Sequence, residues 1–302
     1  MTTASLADQQ QKNVAQKSTQ YSRFGIRDRK RMGDILVFAL LAIGAIIFAG
    51  PFIWMALSSI KTRWEVYTFP PTLLPEYPQW ENYIAVFRDR PFARYMWNSF
   101  FVSILVTVGV VISSALAGYS FARIRFPGRE RIFLLYLSTM MIPGAVLLIP
   151  NFMIMRTFDW LDTYYALIVP GLVSAWGTFL MRQFMLTIPS ELEDAALIDG
   201  CNRLRIWASI IMPVSKPVIA TLAIFTFMGA WNELLWPVIV LNSPEKWTLP
   251  LGLAMFQSRF QSQTPWHLIM AASFISVVPI VIVFLLGQKY YVRGIVTTGL
   301  KG

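Results

Sequence analysis

The residues that could take part in chemistry are few, and two of them interrupt a hydrophobic run. Asn232 and Glu233 occur in the sequence AWNELLWP, within a stretch long and apolar enough to cross a membrane. An ionisable residue in such a span is costly to bury, so it marks a functional site or a specific polar contact. We therefore predict that Asn232 and Glu233 either line or gate a pathway or make a structural hydrogen bond to a neighbouring element.

The common catalytic motifs are absent from the sequence. It has no GxxxxGK[ST] phosphate loop, no HExxH, no CxxC pair and no GxSxG. One cysteine, Cys201, and one histidine, His267, exclude a disulfide within the chain and a metal site built from several Cys or His residues. Glu233 is the one acidic residue in the predicted spans, so the paired carboxylates of acid–base catalysis are missing as well. We expect a non-catalytic membrane protein that binds no cofactor and no metal.

A polar and amphipathic stretch, residues 189–217, stands apart from the hydrophobic segments around it. Ser190 followed by Glu193 is the pattern of a capping box, which predicts a helix start. Gly200 can adopt the backbone conformation that ends one helix and turns into another. Apolar residues then recur at helical spacing from residue 204 to residue 211. The stretch is predicted to form a short helix, a glycine corner and a second short amphipathic helix.

The composition is that of a membrane protein with several spans. Of the 302 residues 56% are apolar, and the mean hydropathy is +0.53. A helix needs about 20 mostly apolar residues to cross the hydrocarbon. Six stretches meet or nearly meet that length: 35–57, 98–122, 132–150, 166–185, 218–241 and 268–287. The predicted fold class is an all-α polytopic membrane protein with six transmembrane helices.

The distribution of the basic residues predicts which side of the membrane each connection occupies. With both termini in the cytosol, 18 of the 26 Lys and Arg residues lie on the cytosolic side. Residues 1–34 are then a cytosolic basic tail near membrane lipid, residues 58–97 an external segment, and residues 288–302 a cytosolic C-terminal tail. The net charge of +10 is therefore a topology signal, and a nucleic-acid partner is not expected.

Small and helix-breaking residues occur within several of the spans. Ser114 and Gly118 in the second span predict close helix contacts, because small residues let membrane helices approach. The pairs Pro143-Gly144 and Pro170-Gly171 interrupt the third and fourth spans. Such breaks either line a protein cavity or are ordinary kinks, and the sequence leaves both interpretations open.

The polar stretch resembles the cytoplasmic EAA loop of permease subunits in bacterial binding-protein-dependent ABC importers. That family pattern is Glu-Ala-Ala, three residues, Gly, nine residues, Ile, one residue and Leu-Pro. Here it appears as Asp194-Ala195-Ala196, then Gly200, Ile210 and Met212-Pro213. Asp194 replaces the usual Glu and Met212 the usual Leu. The segments FPPTLLPEYPQWENYIAVF, WNELLWP and KYYVRGIVTTGLKG resemble the carbohydrate-uptake branch, in particular the maltose-type second permease.

The resemblance implies a type I ABC importer permease fold and a role in carbohydrate import. Residues 98–287 would form the permease core of five transmembrane helices, with residues 189–217 as its cytosolic coupling loop, and residues 35–57 the first transmembrane helix. The implied partners are a homologous but distinct permease, two ATPase subunits that bind ATP and Mg²⁺, and an extracytoplasmic solute-binding protein. The implied location is the bacterial cytoplasmic (inner) membrane, with several passes.

The resemblance also assigns roles to residues. The coupling loop would dock onto the ATPase subunits through Glu193, Asp194, Ala195, Ala196, Asp199, Gly200, Cys201, Ile210 and Pro213. Apart from the resemblance, their position in a predicted span keeps Asn232 and Glu233 as candidates for the pathway or its gate. The alternative from another class is a secondary carrier for a small polar solute that works without ATPase subunits, which would need an internal repeat and coupling residues in the membrane. A membrane-embedded enzyme is disfavoured by the missing catalytic groups.

Overall fold

We describe residues 34–256 and 264–299 of the protein from a computed structural model. Over these residues the chain forms helices and turns and no β-strand, as the predicted all-α class requires. The predicted cytosolic basic tail lies outside the described residues except for Asp34, and so do the last three residues of the C-terminal tail. The chain divides into two compact units, Met1–Leu57 and Ser58–Gly302.

The helices are numbered in chain order. They are α1 (Asp34–Ser59), α2 (Glu81–Asp89), α3 (Phe92–Arg123), α4 (Arg129–Ser138), α5 (Leu148–Thr157), α6 (Tyr164–Ile168), α7 (Ala175–Leu186), α8 (Glu191–Ile198), α9 (Arg203–Ile206), α10 (Met212–Val214), α11 (Lys216–Asn232), α12 (Leu235–Val240), α13 (Leu249–Ala254) and α14 (Trp266–Gly299). A π-helical turn, Trp207–Ile211, joins α9 to α10.

In the described residues, four helical segments are long and apolar enough to cross a membrane, and two bent pairs bring the number up to six. Four are single segments, Asp34–Ser59, Phe92–Arg123, Tyr164–Leu186 and Trp266–Gln288. Two more are bent pairs: Arg129–Met141 with Gly144–Thr157, and Arg203–Val214 with Lys216–Asn232. Counting each bent pair as one span gives six, which agrees with the predicted number.

The third predicted span, 132–150, is not a continuous helix. The chain turns by 90° between the two segments of this pair. Ile142 and Pro143 lie at the bend, and both have extended backbone. The proline accounts for the bend, because its ring disfavours helical conformation at the preceding residue.

The fifth predicted span, 218–241, is not one continuous helix. The helix α11 ends at Asn232, Glu233 is extended with ψ of 120°, and the chain resumes as α12. Pro237 explains the position of the break, because in a continuous helix its ring would clash with the carbonyl group of Glu233 four residues earlier. Glu233 therefore lies between two helices and not inside one.

The long helix α3 lies at the centre of the second unit and packs against α7 and α11. Its contact with α7 is close at two glycines. A Cβ atom on Gly118 would lie 2.7 Å from Met181 Cβ, and one on Gly177 would lie 2.5 Å from Ser114 Oγ. These distances leave no room for a side chain, which confirms the close helix contact predicted at Ser114 and Gly118.

Candidate functional site

The stretch 189–217 forms the predicted pair of short helices, α8 and α9, with Gly200 at the corner. Gly200 has a φ of +79°. The N–H of Cys201 donates to the carbonyl of Ala196 at 2.9 Å, and the N–H of Gly200 donates to the carbonyl of Leu197 at 3.0 Å. This pair of bonds is a Schellman motif, in which a left-handed residue closes the helix end. The predicted role of Gly200 in ending the helix is confirmed.

Asn202 fixes the start of the second short helix, a role that the sequence analysis missed. Its side-chain Oδ1 accepts a hydrogen bond from the N–H of Arg205 at 2.8 Å. Asn is among the preferred N-cap residues, and Asn202 follows Gly200 by two residues. That position could have predicted the start of the second helix from the sequence. The Schellman motif thus ends α8 before the corner, and the Asn202 cap starts α9 after it.

The predicted capping box at the start of α8 is wrong. Ser190 has helical backbone angles and its side chain makes no cap hydrogen bond. The carbonyl of Ser190 already accepts from the N–H groups of Glu193 and Asp194, so the helical turn begins there. The side chain of Glu193 is instead directed into a buried ionic cluster.

Glu193 is 4% exposed and has three partners in this cluster. Its Oε1 lies 3.0 Å from Nε of Arg123, and its Oε2 accepts a hydrogen bond from the hydroxyl of Tyr119 at 3.1 Å. Arg203 approaches the same Oε2 at 3.6 Å. A buried carboxylate needs such partners, since an unpaired buried charge is strongly destabilising.

Arg123 extends this cluster to a third helix. Its Nη2 donates to the carbonyl of Met185 at 2.6 Å and also to the carbonyl of Ile188. Those carbonyls lie at the C-terminal end of α7, where a cation is favoured by the helix dipole. Arg123, with Glu193, therefore ties the ends of α3 and α7 to the short helices α8 and α9.

The residues predicted for docking divide between the interior and the surface of this chain. Glu193 and Ala196 are buried, Cys201 and Ile210 are half-buried, and the others are exposed: Asp194, Ala195, Asp199, Gly200 and Pro213. Two apolar side chains of this stretch that the sequence analysis did not assign to docking are also exposed, Ile198 at 87% and Leu204 at 65%. The corner of the loop thus presents apolar and acidic side chains together.

A cavity of about 650 Å³ lies between α3, the turn before α5, the α6–α7 connection, α11 and α12. Its wall is mostly apolar, with five polar side chains: Asn151, Ser174, Thr226, Glu233 and Thr248. Gly144, Pro170 and Gly171 are also part of this wall. The helix breaks at these positions therefore line a cavity, which decides between the two interpretations that the sequence left open.

Of the two predicted pathway residues, Glu233 lines the cavity and Asn232 does not. Glu233 Oε1 accepts a hydrogen bond from the N–H of Trp236 at 3.1 Å, which satisfies one donor at the start of α12. Asn232 donates to the carbonyl of Met228 at 2.8 Å, within the last turn of its own helix. Glu233 thus combines the two alternatives of the sequence analysis, a cavity position and a structural hydrogen bond.

Asp162 lies in the connection between α5 and α6. It binds the segment that follows α12. It accepts hydrogen bonds from the N–H groups of Asn242 and Ser243, both at 3.0 Å, and from the Ser243 hydroxyl at 2.5 Å. Lys246 forms an ion pair with it at 3.1 Å. Burial raises the pKa of Asp162, but the hydrogen bonds from Ser243, Asn242 and Lys246 outweigh it and hold this pKa below its ordinary value. The α5–α6 connection and the segment after α12, which leads to Thr248 of the cavity wall, are therefore fixed to each other.

Known proteins resemble this chain over most of its length. Residues 109–297 match the family described as binding-protein-dependent transport system inner membrane component. The sn-glycerol-3-phosphate transport system permease protein UgpE of Yersinia enterocolitica is 33% identical over 275 residues, which cover 89% of this chain and 98% of that protein. The arabinooligosaccharides transport system permease protein AraQ of Halalkalibacterium halodurans is 34% identical over 280 residues, 90% of this chain and 100% of that one.

Solved structures share the fold. A chain of a bacterial ABC transporter involved in the import of the acidic polysaccharide alginate superposes with a TM-score of 0.78 at 25% identity, covering 86% of this chain and 97% of that chain. A second chain, from the bacterial alginate ABC transporter in complex with an alginate pentasaccharide-bound periplasmic protein, gives a TM-score of 0.63 at 15% identity. The expected all-α permease fold of a type I importer is confirmed. The chain belongs to the family of binding-protein-dependent transport system inner membrane components.

Proposed function

We propose that this chain is the transmembrane permease subunit of an ATP-driven ABC importer for a carbohydrate and forms half of its translocation pathway. The family match carries this proposal, together with relatives that are permeases for glycerol 3-phosphate and arabinooligosaccharides. The cavity at the helix breaks supplies a site for a solute of modest size. The chain works in the bacterial cytoplasmic membrane with both termini in the cytosol, an orientation supported by the distribution of Lys and Arg.

The coupling loop is the part that meets the ATPase subunits. Its corner exposes Ile198 and Leu204 beside Asp194 and Asp199, on the side predicted to be cytosolic. Exposed apolar side chains in a polar rim are typical of a protein interface. ATP and Mg²⁺ bind to the two ATPase subunits, and this chain contributes no catalytic group. A distinct permease and an extracytoplasmic solute-binding protein complete the importer.

The packing of α3 suggests how a movement of the loop reaches the cavity. Arg123 and Tyr119 at one end of α3 hold Glu193 of the loop. Val102, Val106 and Val110 of the same helix line the cavity. Because packed helices move as units between discrete arrangements, displacement of the loop on closure of the ATPase dimer would shift this wall of the cavity.

A charge at the exposed corner tests the docking surface. In Ile198→Glu the new carboxylate replaces an apolar contact without entering the core, so the chain should still insert and fold. We expect the amount of ATPase that co-purifies with the permease to fall at least about tenfold, which is about 1.4 kcal/mol of binding free energy. Solute uptake should fall with it.

The matched control is Leu74→Glu, because Leu74 is 68% exposed and belongs to the segment predicted to be external. This variant should keep the ATPase bound. If Ile198→Glu retains both the ATPase and full uptake, the docking assignment is wrong. The secondary-carrier alternative makes a different prediction, since such a chain would transport solute without any ATPase.

A further inference from the structure

The wall that the described residues give to the cavity carries a single charged group. Glu233 is the only ionisable side chain among its lining residues in the part of the chain that the structure describes, and no Lys, Arg or His lines it there. The rest of the wall is mostly aliphatic. A cleft of one charge sign with apolar walls concentrates its field, so this half of the pathway repels anions.

The remaining polar groups of the wall are neutral and suit hydroxyl groups. Asn151, Ser174, Thr226 and Thr248 can each donate and accept hydrogen bonds. Thr248 is 4% exposed, and its hydroxyl has no hydrogen-bond partner among the described residues. This hydroxyl oxygen is itself buried, so Asn151, Ser174 and Thr226, which are half-buried, are the neutral polar side chains of the wall that are open to a solute.

Trp236 offers an aromatic surface at the same wall. Its Nε1 donates to the carbonyl of Ala166 at 2.8 Å, which fixes the orientation of the indole ring. An amphipathic ring with its N–H already satisfied can present its apolar face to the carbon–hydrogen face of a sugar. The wall thus combines neutral hydrogen-bonding groups, one fixed aromatic ring and one carboxylate.

We propose that the imported solute is an uncharged sugar or oligosaccharide, and that Glu233 disfavours anionic carbohydrates such as sugar phosphates and uronates. This inference rests on the proposed importer function, and it specifies in addition that the substrate carries no charge. Among the relatives, it groups this chain with the arabinooligosaccharide permease and separates it from the permeases for glycerol 3-phosphate and alginate. An anion in the cavity would meet a carboxylate with no compensating cation among the described residues of its wall, which is discrimination by repulsion.

The charge of the cavity can be measured with a cysteine reporter in the assembled transporter. Gly229 lines the cavity four residues before Glu233, and a Cβ atom there would meet no other atom within 4 Å. Gly229→Cys therefore adds a thiol without a clash. Its reaction rates with a cationic and an anionic methanethiosulfonate of similar size are each divided by the rate with a small free thiol. The unmodified chain, which keeps Cys201, gives the background.

We expect the normalised rate to be about tenfold higher for the cationic reagent, the factor that a nearby carboxylate gives in a partly screened cavity. Glu233→Gln should bring the two rates within about twofold, since the amide oxygen can still accept the N–H of Trp236. The matched control is Glu245→Gln, which removes a carboxylate that does not line the cavity, and it should leave the tenfold preference intact. Equal rates with Glu233 present, or a preference that survives Glu233→Gln, would overturn the proposal.

Uptake experiments separate this proposal from the importer function itself. The complete transporter with its own binding protein is tested with a radiolabelled arabino-oligosaccharide and with radiolabelled sn-glycerol 3-phosphate. ATP-dependent uptake of the phosphate compound would overturn the charge assignment and leave the importer function standing. Uptake of the neutral sugar that does not depend on ATP would instead contradict the proposed function.

Discussion

At the scale of single residues, the pair formed by Glu193 and Arg123 decides how the coupling loop is attached to the spans. Both side chains are largely buried, and together they contact α3, α7 and α8. Glu193 is predicted to contact the ATPase; within this chain it is buried and positions the loop through Arg123 and Tyr119. The exposed neighbours of Glu193, in particular Asp194, keep the predicted docking role.

Removal of one member of this buried pair should destabilise the protein far more than removal of Arg203, the exposed partner of Glu193. Glu193→Ala leaves Arg123 buried without its counter-ion, so we expect a loss of about 3–5 kcal/mol in the stability of the loop attachment. Arg203→Gln is the control, because Arg203 is half-exposed and 3.6 Å away, and it should cost less than about 1 kcal/mol. Thermal unfolding and the rate of proteolysis within residues 189–217 report the difference. Equal stability of the two variants would show that the pair does not hold the loop.

Gly200 gives a second prediction at this scale, based on its backbone and not on its contacts. A Cβ atom at Gly200 would meet nothing within 4 Å, so a larger residue is opposed only by the positive φ. Gly200→Val should cost at least about 1–2 kcal/mol and disturb the corner, whereas Gly200→Asn should be much milder because Asn tolerates this conformation. Uptake and ATPase co-purification should fall severalfold in Gly200→Val and remain near normal in Gly200→Asn. If Val and Asn had equal effects, the size of the side chain at position 200, and not its positive φ, would be the cause.

At the scale of the elements, the crossing of α3 and α7 depends on the absence of side chains. A methyl group on Gly177 would lie 2.5 Å from Ser114 Oγ and 3.1 Å from Leu222 Cδ1, so α3, α7 and α11 would all have to shift. Gly177→Ala should therefore destabilise the protein by about 1–3 kcal/mol. Gly144→Ala is the matched control, since a Cβ atom there meets nothing within 4 Å and the unfolding midpoint should hardly change. An unchanged midpoint in Gly177→Ala would mean that the helices are not in close contact.

The same elements show what the sequence could and could not predict. Hydropathy located six spans because each apolar run is long, and Gly200 was recognised because few residues tolerate its conformation. The fifth span was misjudged because Pro237 acts on the carbonyl four residues earlier, so the break at Glu233 does not appear in the hydropathy. The capping box failed because the partners of Glu193, Tyr119 and Arg123, are more than 60 residues away in the sequence. Contacts of that range depend on the tertiary structure and leave no local pattern.

At the scale of the whole molecule, α3 connects a cavity to the loop in the described part of the chain. The cavity lies between α3, the turn before α5, the α6–α7 connection, α11 and α12, and the loop is held to the ends of α3 and α7 through Glu193 and Arg123. Glu233 is the single ionisable residue of the cavity wall in the described part of the chain, which is too little for an ion-coupled relay. This agrees with the proposal that the energy for transport enters through the loop, from another subunit.

The measurement that tests this central claim most directly compares the chain alone with the assembled transporter in proteoliposomes. The chain, its partner permease, the ATPase subunits and the solute-binding protein are obtained from neighbouring genes, and the uptake of a radiolabelled oligosaccharide that binds to that binding protein is followed. We predict no uptake by the chain alone under an imposed proton or sodium gradient, and ATP-dependent uptake by the complete set. Gradient-driven uptake by the chain alone, with no need for the ATPase, would contradict the account.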